Sequence, residues 1–254
     1  MNKNIFFSAS SHPKIMGVAQ AMQDNAKESR WFENSLPIFD LLEAEKPDLV
    51  FFKDNDYPLQ HIEYAKKDFP NTKFGLFTEL EEDHEFFDIT INILNEKHRN
   101  YLPYLANTYY SGGKKNEIYE TDILMISNNV NLENETLLKW IFSIATKYRM
   151  KIYGENKVQC PYYLGNVGIE SLKDLIASTK IMIMLNEEWL QTALLNDKVP
   201  LLFSNNPSNH CEFSTYSQLD ELCNLHINHD MESTKITPKT YLDFCNKILE
   251  ELYK

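Results

Sequence analysis

The chain has 254 residues, of which 43% are hydrophobic and 13% aromatic, and this composition excludes a disordered protein and allows one large or two small domains. Its 37 acidic residues outnumber its 25 lysines and arginines, so the net charge is -12 and nucleic acid is a disfavoured partner. The four cysteines are scattered, no signal-peptide pattern opens the chain, and no apolar run approaches the roughly 20 residues of a membrane span. We therefore expect a cytoplasmic protein with reduced thiols.

The first half of the chain alternates short apolar runs with stretches of helical apolar spacing. This alternation predicts a parallel sheet with helical crossovers. The predicted strands are residues 4–8, 48–52, 73–77 and 88–93, and the predicted helices are residues 15–22, 35–45 and 59–68. Ser35 is the predicted cap of the second of these helices.

The second half repeats the same alternation. A strand at 122–127 and a helix at 133–148 come first, and residues 151–203 then predict strand, turn, short strand, helix, strand, helix and strand. Residues 204–217 are polar and predict a loop, and Thr237 followed by Pro238 predicts the start of an amphipathic C-terminal helix. The predicted organisation is a first domain at 1–105, a hinge at 106–120 that holds the Gly112-Gly113 pair, a second domain at 121–236 and a C-terminal helix at 237–254.

Several short segments stand in a recognisable order along the chain. They are residues 101–104 (YLPY) with 106–107 (AN) before a strand, then 152–154 (IYG), 163–165 (YLG) and 191–193 (QTA). This series resembles the GT-B glycosyltransferases, especially the spore-maturation-protein-like, or group 1-like, branch. The resemblance implies an α/β protein with two Rossmann-like domains facing a cleft. It also implies a nucleoside diphosphate sugar as co-substrate in the second domain, a saccharide or other hydroxyl acceptor in the first, and no tightly bound cofactor.

The predicted donor site follows the strands of the second domain, because ligands of open parallel sheets bind beyond the carboxyl ends of the strands. Gln191 stands where many members of the family carry a second acid. An alternative is that Glu187 and Glu188 are ordinary first-turn acids, favoured by the helix dipole. The predicted donor residues are Ser127, Asn128, Asn129, Tyr153, Gly154, Asn156, Gly165, Asn166, Glu187, Glu188 and Gln191.

Two residues of the first domain are candidates for the catalytic base. His12 follows the first strand, and its ordinary pKa suits proton transfer, although a residue before Pro13 can equally serve only to start the helix. Glu79 opens a run of acids that is otherwise typical of a solvated surface. Asp54 and Asp56 form a D-x-D pattern that could hold Mg²⁺ or Mn²⁺, but a polar turn is favoured and no metal is predicted.

The sequence thus predicts transfer of a sugar from a nucleoside diphosphate sugar to an acceptor hydroxyl. Two alternatives stay open. The first is a non-catalytic nucleotide- or sugar-binding protein on the same scaffold. Three observations fit it, namely the presence of only 7 glycines, Gln191 in place of an acid, and the lack of a basic pair for the diphosphate in the second domain. The compact size and many lysines and asparagines also fit a phage-type DNA-base glucosyltransferase, which the negative charge disfavours.

Overall fold

The computed structural model describes nine stretches of the chain. They are residues 3–25, 28–33, 36–54, 56–80, 85–127, 135–154, 160–209, 211–228 and 237–253. The chain divides into two compact units. The first unit is Met1–Pro103 together with Thr240–Lys254, and the second unit is Tyr104–Lys239.

The first unit contains a five-stranded parallel sheet. Its central strands read as nearly continuous apolar runs because helices cover both faces of a parallel sheet. The strands are β1 (Asn4–Ser8), β2 (Glu28–Phe32), β3 (Leu49–Lys53), β4 (Lys73–Thr78) and β5 (Ile89–Asn92). The helices are α1 (Pro13–Asn25), α2 (Ile38–Glu45), α3 (Leu59–Asp68) and, from the end of the chain, α8 (Tyr241–Leu252).

Phenylalanine rings fill both sides of this sheet. On one side the rings of Phe7 and Phe51 stack with centroids 5.1 Å apart. On the other side Phe52 and Phe74 stack at 6.1 Å, within a cluster that includes Ile62 of α3. Because successive side chains of a strand point to opposite faces, Phe51 and Phe52 serve the two halves of one core.

The second unit contains another five-stranded parallel sheet. Alternate residues of its central strand join an apolar cluster on each face. The strands are β6 (Ile123–Ile126), β7 (Met150–Tyr153), β8 (Ile181–Met184), β9 (Val199–Phe203) and β10 (Glu212–Phe213). The helices are α4 (Glu135–Ala145), α5 (Ile169–Ala177), α6 (Leu190–Leu195) and α7 (Tyr216–Asn228).

The two sheets have the same topology. The spatial orders are β2-β1-β3-β4-β5 and β7-β6-β8-β9-β10, so in each unit the first strand of the sheet lies between the second and the third. The connections turn away in opposite directions on the two sides of that first strand. This arrangement leaves a crevice beyond the carboxyl ends of the first and third strands, which is where Rossmann-like sheets bind ligands.

The predicted α/β class with two Rossmann-like sheets is confirmed. The strand and helix bounds differ in several places. β2 was not predicted because it is a polar edge strand with only Phe32 fully buried. The loop predicted at 204–217 instead contains β10 and the start of α7, whose buried apolar residues are only Leu219 and Cys223. Such sparse apolar positions give little helical signal.

Helix starts also differ from the predictions. α8 begins at Tyr241, and its cap is Thr240, whose hydroxyl accepts a hydrogen bond from the Asp243 amide while the Asp243 carboxylate accepts one from the Thr240 amide. This reciprocal capping box stops the helix from starting at Thr237. α2 begins at Ile38, and the predicted cap at Ser35 lies outside the described residues.

The segment predicted as a hinge packs against α5 within the second unit. The Lys114 amide donates a hydrogen bond to Asp174, and the Asn116 amide donates one to the Ser178 hydroxyl, both at 2.8 Å. Gly113 lies so close to this helix that a Cβ would stand 2.1 Å from the Lys173 carbonyl oxygen. The C-terminal helix packs in the first unit, where the Tyr241 ring covers Gly17 of α1. None of the described helices has the length and apolar character that crossing a membrane requires.

We expect Gly113→Ala to lower the free energy of unfolding by about 1–3 kcal/mol, because the added methyl group collides with rigid helix backbone. Gly168→Ala is the matched control, since its Cβ would meet nothing within 4 Å. That control should cost less than about 1 kcal/mol, a loss that comes only from placing alanine at the N-cap of α5. Urea denaturation followed by circular dichroism measures both, and equal stability of the two variants would contradict the close packing of this segment.

Candidate functional site

The first-unit edge comprises described residues at and after the ends of β1, β3 and β4, namely 8–14, 53–54, 56–57 and 78–80. Both predicted catalytic residues lie on it. His12 follows β1, and Glu79 follows β4 with its carboxylate 4.0 Å from the ammonium of Lys53. His12 interacts electrostatically with both of these residues. The sheet therefore gathers an imidazole, a carboxylate and an ammonium group that are far apart in sequence.

His12 caps the first helix of the chain. Its Nδ1 accepts a hydrogen bond of 3.3 Å from the backbone amide of Lys14, the second residue of α1. Burial lowers the pKa of His12 from 6.5, and the positive charges of Lys53 and Lys14 lower it further, while Glu79 opposes the shift. Because Nδ1 accepts that bond, the neutral ring carries its proton on Nε2, which then acts as a hydrogen-bond donor.

Asp54 and Asp56 both accept hydrogen bonds inside the edge. Asp54 accepts one of 2.8 Å from the Glu79 amide. Asp56 accepts one of 2.6 Å from the Lys53 amide and a second from the Ser8 hydroxyl, which ties the ends of β1 and β3 together. These bonds are the ones expected of a structured polar turn. Among the described residues no group of three or more histidine, cysteine, aspartate or glutamate side chains has the geometry of a metal site.

A buried lysine supports the same edge. Lys14 is only 4% exposed, and its ammonium donates a hydrogen bond of 2.6 Å to the Ile93 carbonyl just beyond β5. It also lies 4.9 Å from the centre of the Tyr101 ring. Lys14 was not among the predicted site residues. The sequence feature that could have indicated it is its position as a charged residue at the start of the helix that follows the first strand.

The second-unit edge comprises residues 127, 154, 163–168 and 185–189. Ser127 is fully buried after β6, and its amide donates a hydrogen bond of 2.7 Å to the Tyr153 carbonyl. Gly154 and Gly165 have φ angles of 143° and 92°, which favour glycine, and the Gly154 amide donates a bond of 3.1 Å to the Gly165 carbonyl. The two predicted donor glycines are therefore joined by a backbone hydrogen bond.

Tyr153 and Tyr163 lie on opposite faces of the second sheet. Tyr153 packs in the cluster with Trp189 and Val167, whereas Tyr163 packs with the cluster under α4 and α7 and donates a hydrogen bond of 2.7 Å to the Gly154 carbonyl. Burial, followed by the proximity of Tyr119, raises the pKa of Tyr153, so this residue remains a neutral phenol.

The predicted acids follow β8 in a short 3₁₀ turn, Glu187–Trp189. Asn186 caps this turn, because its side-chain oxygen accepts a hydrogen bond of 3.1 Å from the Glu188 amide. Glu187 is exposed, and Glu188 and Gln191 are half-buried. Asn166, at the other side of the edge, is exposed and accepts a bond of 2.9 Å from the Val167 amide.

Trp189 anchors this edge and was not predicted as a site residue. It is 7% exposed, packs 5.2 Å from the Tyr110 ring and shares a cluster with Tyr153 and Val167. Its indole nitrogen is buried and finds no hydrogen-bond partner within the described part of the chain. The sequence could have indicated Trp189 as a site residue, because the chain has only 3 tryptophans and this one lies beside the predicted acids.

Three predicted donor residues lie outside the described residues, namely Asn128, Asn129 and Asn156. The others lie on the second-unit edge or, for Tyr153 and Gln191, on elements that begin or end there. No arginine or lysine occurs at the described positions of this edge. Arg149 precedes β7, at the opposite end of the strands, where it pairs with Asp122 at 3.1 Å.

Comparisons with solved structures agree with this architecture. The UDP-GlcNAc 2-epimerase of Methanocaldococcus jannaschii is 11% identical and has a TM-score of 0.57, with 99% of each chain covered. A putative UDP-N-acetylglucosamine 2-epimerase of Listeria monocytogenes is 9% identical, with a TM-score of 0.60 over 98% of this chain and 95% of its own. The Anabaena protein HepE, in complex with UDP and glucose, is 12% identical, with a TM-score of 0.50 over 100% of this chain and 96% of its own.

The fold is GT-B-like. At these identities the comparisons show the fold alone, and the finer assignment to a spore-maturation-protein-like or group 1-like branch stays a prediction. No protein-family model matches the chain, and no curated protein matches it in sequence. The first-unit edge and the second-unit edge each lie where Rossmann-like sheets bind ligands.

We expect NMR titration of the His12 ring to give a pKa below 6.5. Lys53→Met should raise that pKa by removing a positive charge, and Glu79→Gln should lower it by removing a negative one. Because the folded-state pKa is depressed, the associated stability is present above pH 6.5 and is lost as the pH falls through the folded pKa. A His12→Asn spectrum assigns the signal, and shifts of the opposite sign would show that the three side chains are not gathered on one edge.

Proposed function

We propose that the protein is a glycosyltransferase that takes a nucleoside diphosphate sugar as donor. The observation that carries this proposal is the presence of two sheets with the same 2-1-3-4-5 topology, each ending in its own polar edge. A transfer reaction needs two substrates, and each unit offers one site of the kind that binds ligands in Rossmann-like folds. The second-unit edge would bind the donor and the first-unit edge the acceptor.

Three features support donor binding on the second-unit edge. Gly165 has a φ of 92° and a Cβ there would meet nothing within 4 Å, so a diphosphate can approach its backbone closely. Gly168 caps the nine-residue helix α5, whose N-terminal amides and dipole favour an anion. Trp189 packs with Tyr153 and Val167 and so supports the turn that carries Glu187 and Glu188.

Glu187 would hold the ribose of the donor. It is exposed at the first turn after β8, and a carboxylate can accept hydrogen bonds from two neighbouring ribose hydroxyls at once. Gln191, one helical turn later, would add an amide to the same hydroxyl contacts. Since no lysine or arginine occurs at the described positions of this edge, backbone amides would carry more of the diphosphate binding than in a basic site.

Glu79 is the proposed base and His12 a proposed hydrogen-bond donor. The His12 Nδ1 already accepts the Lys14 amide, so its Nε2-H would orient the acceptor oxygen rather than remove a proton from it. The acceptor oxygen bonds to the anomeric carbon, and its proton passes to the Glu79 carboxylate. The bond from that carbon to the β-phosphate oxygen breaks, and its electron pair leaves with the nucleoside diphosphate.

We expect calorimetry to detect binding of UDP or UDP-glucose, with GDP and ADP as comparisons. Glu187→Ala should weaken nucleotide binding about ten-fold, because charge-assisted hydrogen bonds are each worth about 1.5–3 kcal/mol. Glu117→Ala is the matched control, an exposed glutamate of the second unit in the turn before β6. That variant should bind like the wild type.

The donor proposal fails if none of these nucleotides or UDP-sugars binds the wild-type protein. An equal loss of affinity in both glutamate variants would also contradict it, since the effect would then not be specific to the second-unit edge. Binding without transfer or hydrolysis of any sugar would instead favour the non-catalytic alternative.

We expect Glu79→Gln to lower the transfer rate by about 10²–10⁴-fold, the usual contribution of a positioned base. His12→Asn should lower it less, because asparagine preserves the helix cap and removes only the donor on Nε2. Product analysis of reactions with UDP-glucose and UDP-N-acetylglucosamine measures both variants and also reveals epimerised donor. A larger loss in His12→Asn than in Glu79→Gln would assign the base to His12 and overturn the proposed role of Glu79.

A further inference from the structure

An apolar cavity of about 180 Å³ opens at the first-unit edge. It lies between α3 and the ends of β3 and β4. Its walls are mostly large apolar side chains, including Phe52, Ile62 and Leu76, each of which is no more than 3% exposed. Tyr57, Leu59 and Phe87 complete much of the wall. The cavity is thus a mostly apolar cleft that reaches from the exposed side chains of Leu59 and Leu80 into the core of the first unit.

The polar groups of the cavity stand together. Lys53 and Asp54 both line it, and both contact Glu79, the first through its ammonium at 4.0 Å and the second through the Glu79 amide at 2.8 Å. The Tyr57 hydroxyl is engaged elsewhere, donating a bond of 2.6 Å to the Leu36 carbonyl. A ligand in the cavity would therefore place one polar group beside Lys53, whose ammonium lies 4.0 Å from the Glu79 carboxylate, and bury its remainder among apolar side chains.

The size and chemistry of the cavity select one class of acceptor. An apolar cavity of roughly 150 Å³ holds a benzene molecule in another protein, so this one matches a single six-membered ring with a small substituent. A free sugar would bury several hydroxyls against phenylalanine and leucine without partners, which is costly. A phenol has one hydroxyl, and its ordinary pKa near that of tyrosine, about 10, makes it far easier to deprotonate than an alcohol.

We propose that the acceptor of this protein is a small phenol or similar hydroxylated aromatic compound, bound in the cavity of Phe52, Ile62 and Leu76 with its hydroxyl between Lys53 and Glu79. The ammonium of Lys53 would stabilise the developing phenolate, and the Glu79 carboxylate would accept the phenol proton. This inference rests on the proposed function for its chemistry. The binding site itself can be tested without any donor.

The experiment titrates 4-methylphenol into the nucleotide-free protein and follows binding by saturation-transfer NMR and calorimetry. Methyl β-glucoside serves as the polar comparison. We expect 4-methylphenol to bind saturably and at least ten-fold more tightly than the glucoside. Leu59→Trp and Leu80→Trp, at cavity positions that are 42% and 56% exposed, should each weaken phenol binding at least ten-fold by filling the space.

Leu94→Trp is the matched control, since Leu94 is 58% exposed in the same unit and does not line the cavity. It should bind 4-methylphenol like the wild type, and all three variants should bind nucleotide unchanged. Circular dichroism melts show whether each variant folds. With two cavity variants, the test still stands if one of them does not fold.

Each result separates this inference from the proposed function. The acceptor inference is wrong if 4-methylphenol binds no more tightly than the glucoside. It is also wrong if both cavity variants bind 4-methylphenol as tightly as the wild type, even where nucleotides bind. Phenol binding that is lost in both cavity variants supports the site, and it does so even if no nucleotide binds and the donor proposal falls. Transfer of glucose to 4-methylphenol, abolished in Leu59→Trp and retained in Leu94→Trp, would support both.

Discussion

Burial of both faces of two parallel sheets is the constraint on which this protein depends. Helices cover each face, so the strands are close to continuous apolar runs and the phenylalanine-rich core of the first unit is packed on both sides. The covered faces of the sheets are therefore apolar and offer no site for polar side chains. What remains are the loops at the strand ends, and the reversal of strand order beside β1 and β6 opens a crevice at one end of each sheet.

The first-unit edge divides its polar groups between structure and chemistry. Asp56 and Ser8 are occupied in tying β1 to β3, and Asp54 holds the backbone of Glu79. Lys53 lines an apolar cavity, and the Glu79 carboxylate lies 4.0 Å from its ammonium. A metal bound by the two aspartates would have to compete with these hydrogen bonds, whereas the proposed acceptor site uses the groups that the bonds position.

The second-unit edge is organised by aromatic packing. Trp189 reaches from the acidic turn into a cluster with Tyr153, Val167 and Tyr110, so the turn after β8 and the loop before α5 share one buried anchor. The adjacent segment 104–120 is also part of this unit, because Gly113 lies against the α5 backbone. Rigid support of this kind is what the proposed donor site needs, since no lysine or arginine occurs at the described positions of this edge and the proposed hydrogen-bond donors are backbone amides.

The sequence by itself determined the α/β class, most of the central strands and the polar strand ends at His12, Glu79, Gly154 and Glu187, because apolar runs and their polar exits are local patterns. It missed β2, β10 and α7, whose few buried residues give little pattern. The tertiary structure alone decided the rest. Which face Tyr163 occupies, what Trp189 contacts and where Lys53 meets Glu79 depend on how the strands are ordered and packed. That order is set by contacts between residues far apart in the chain.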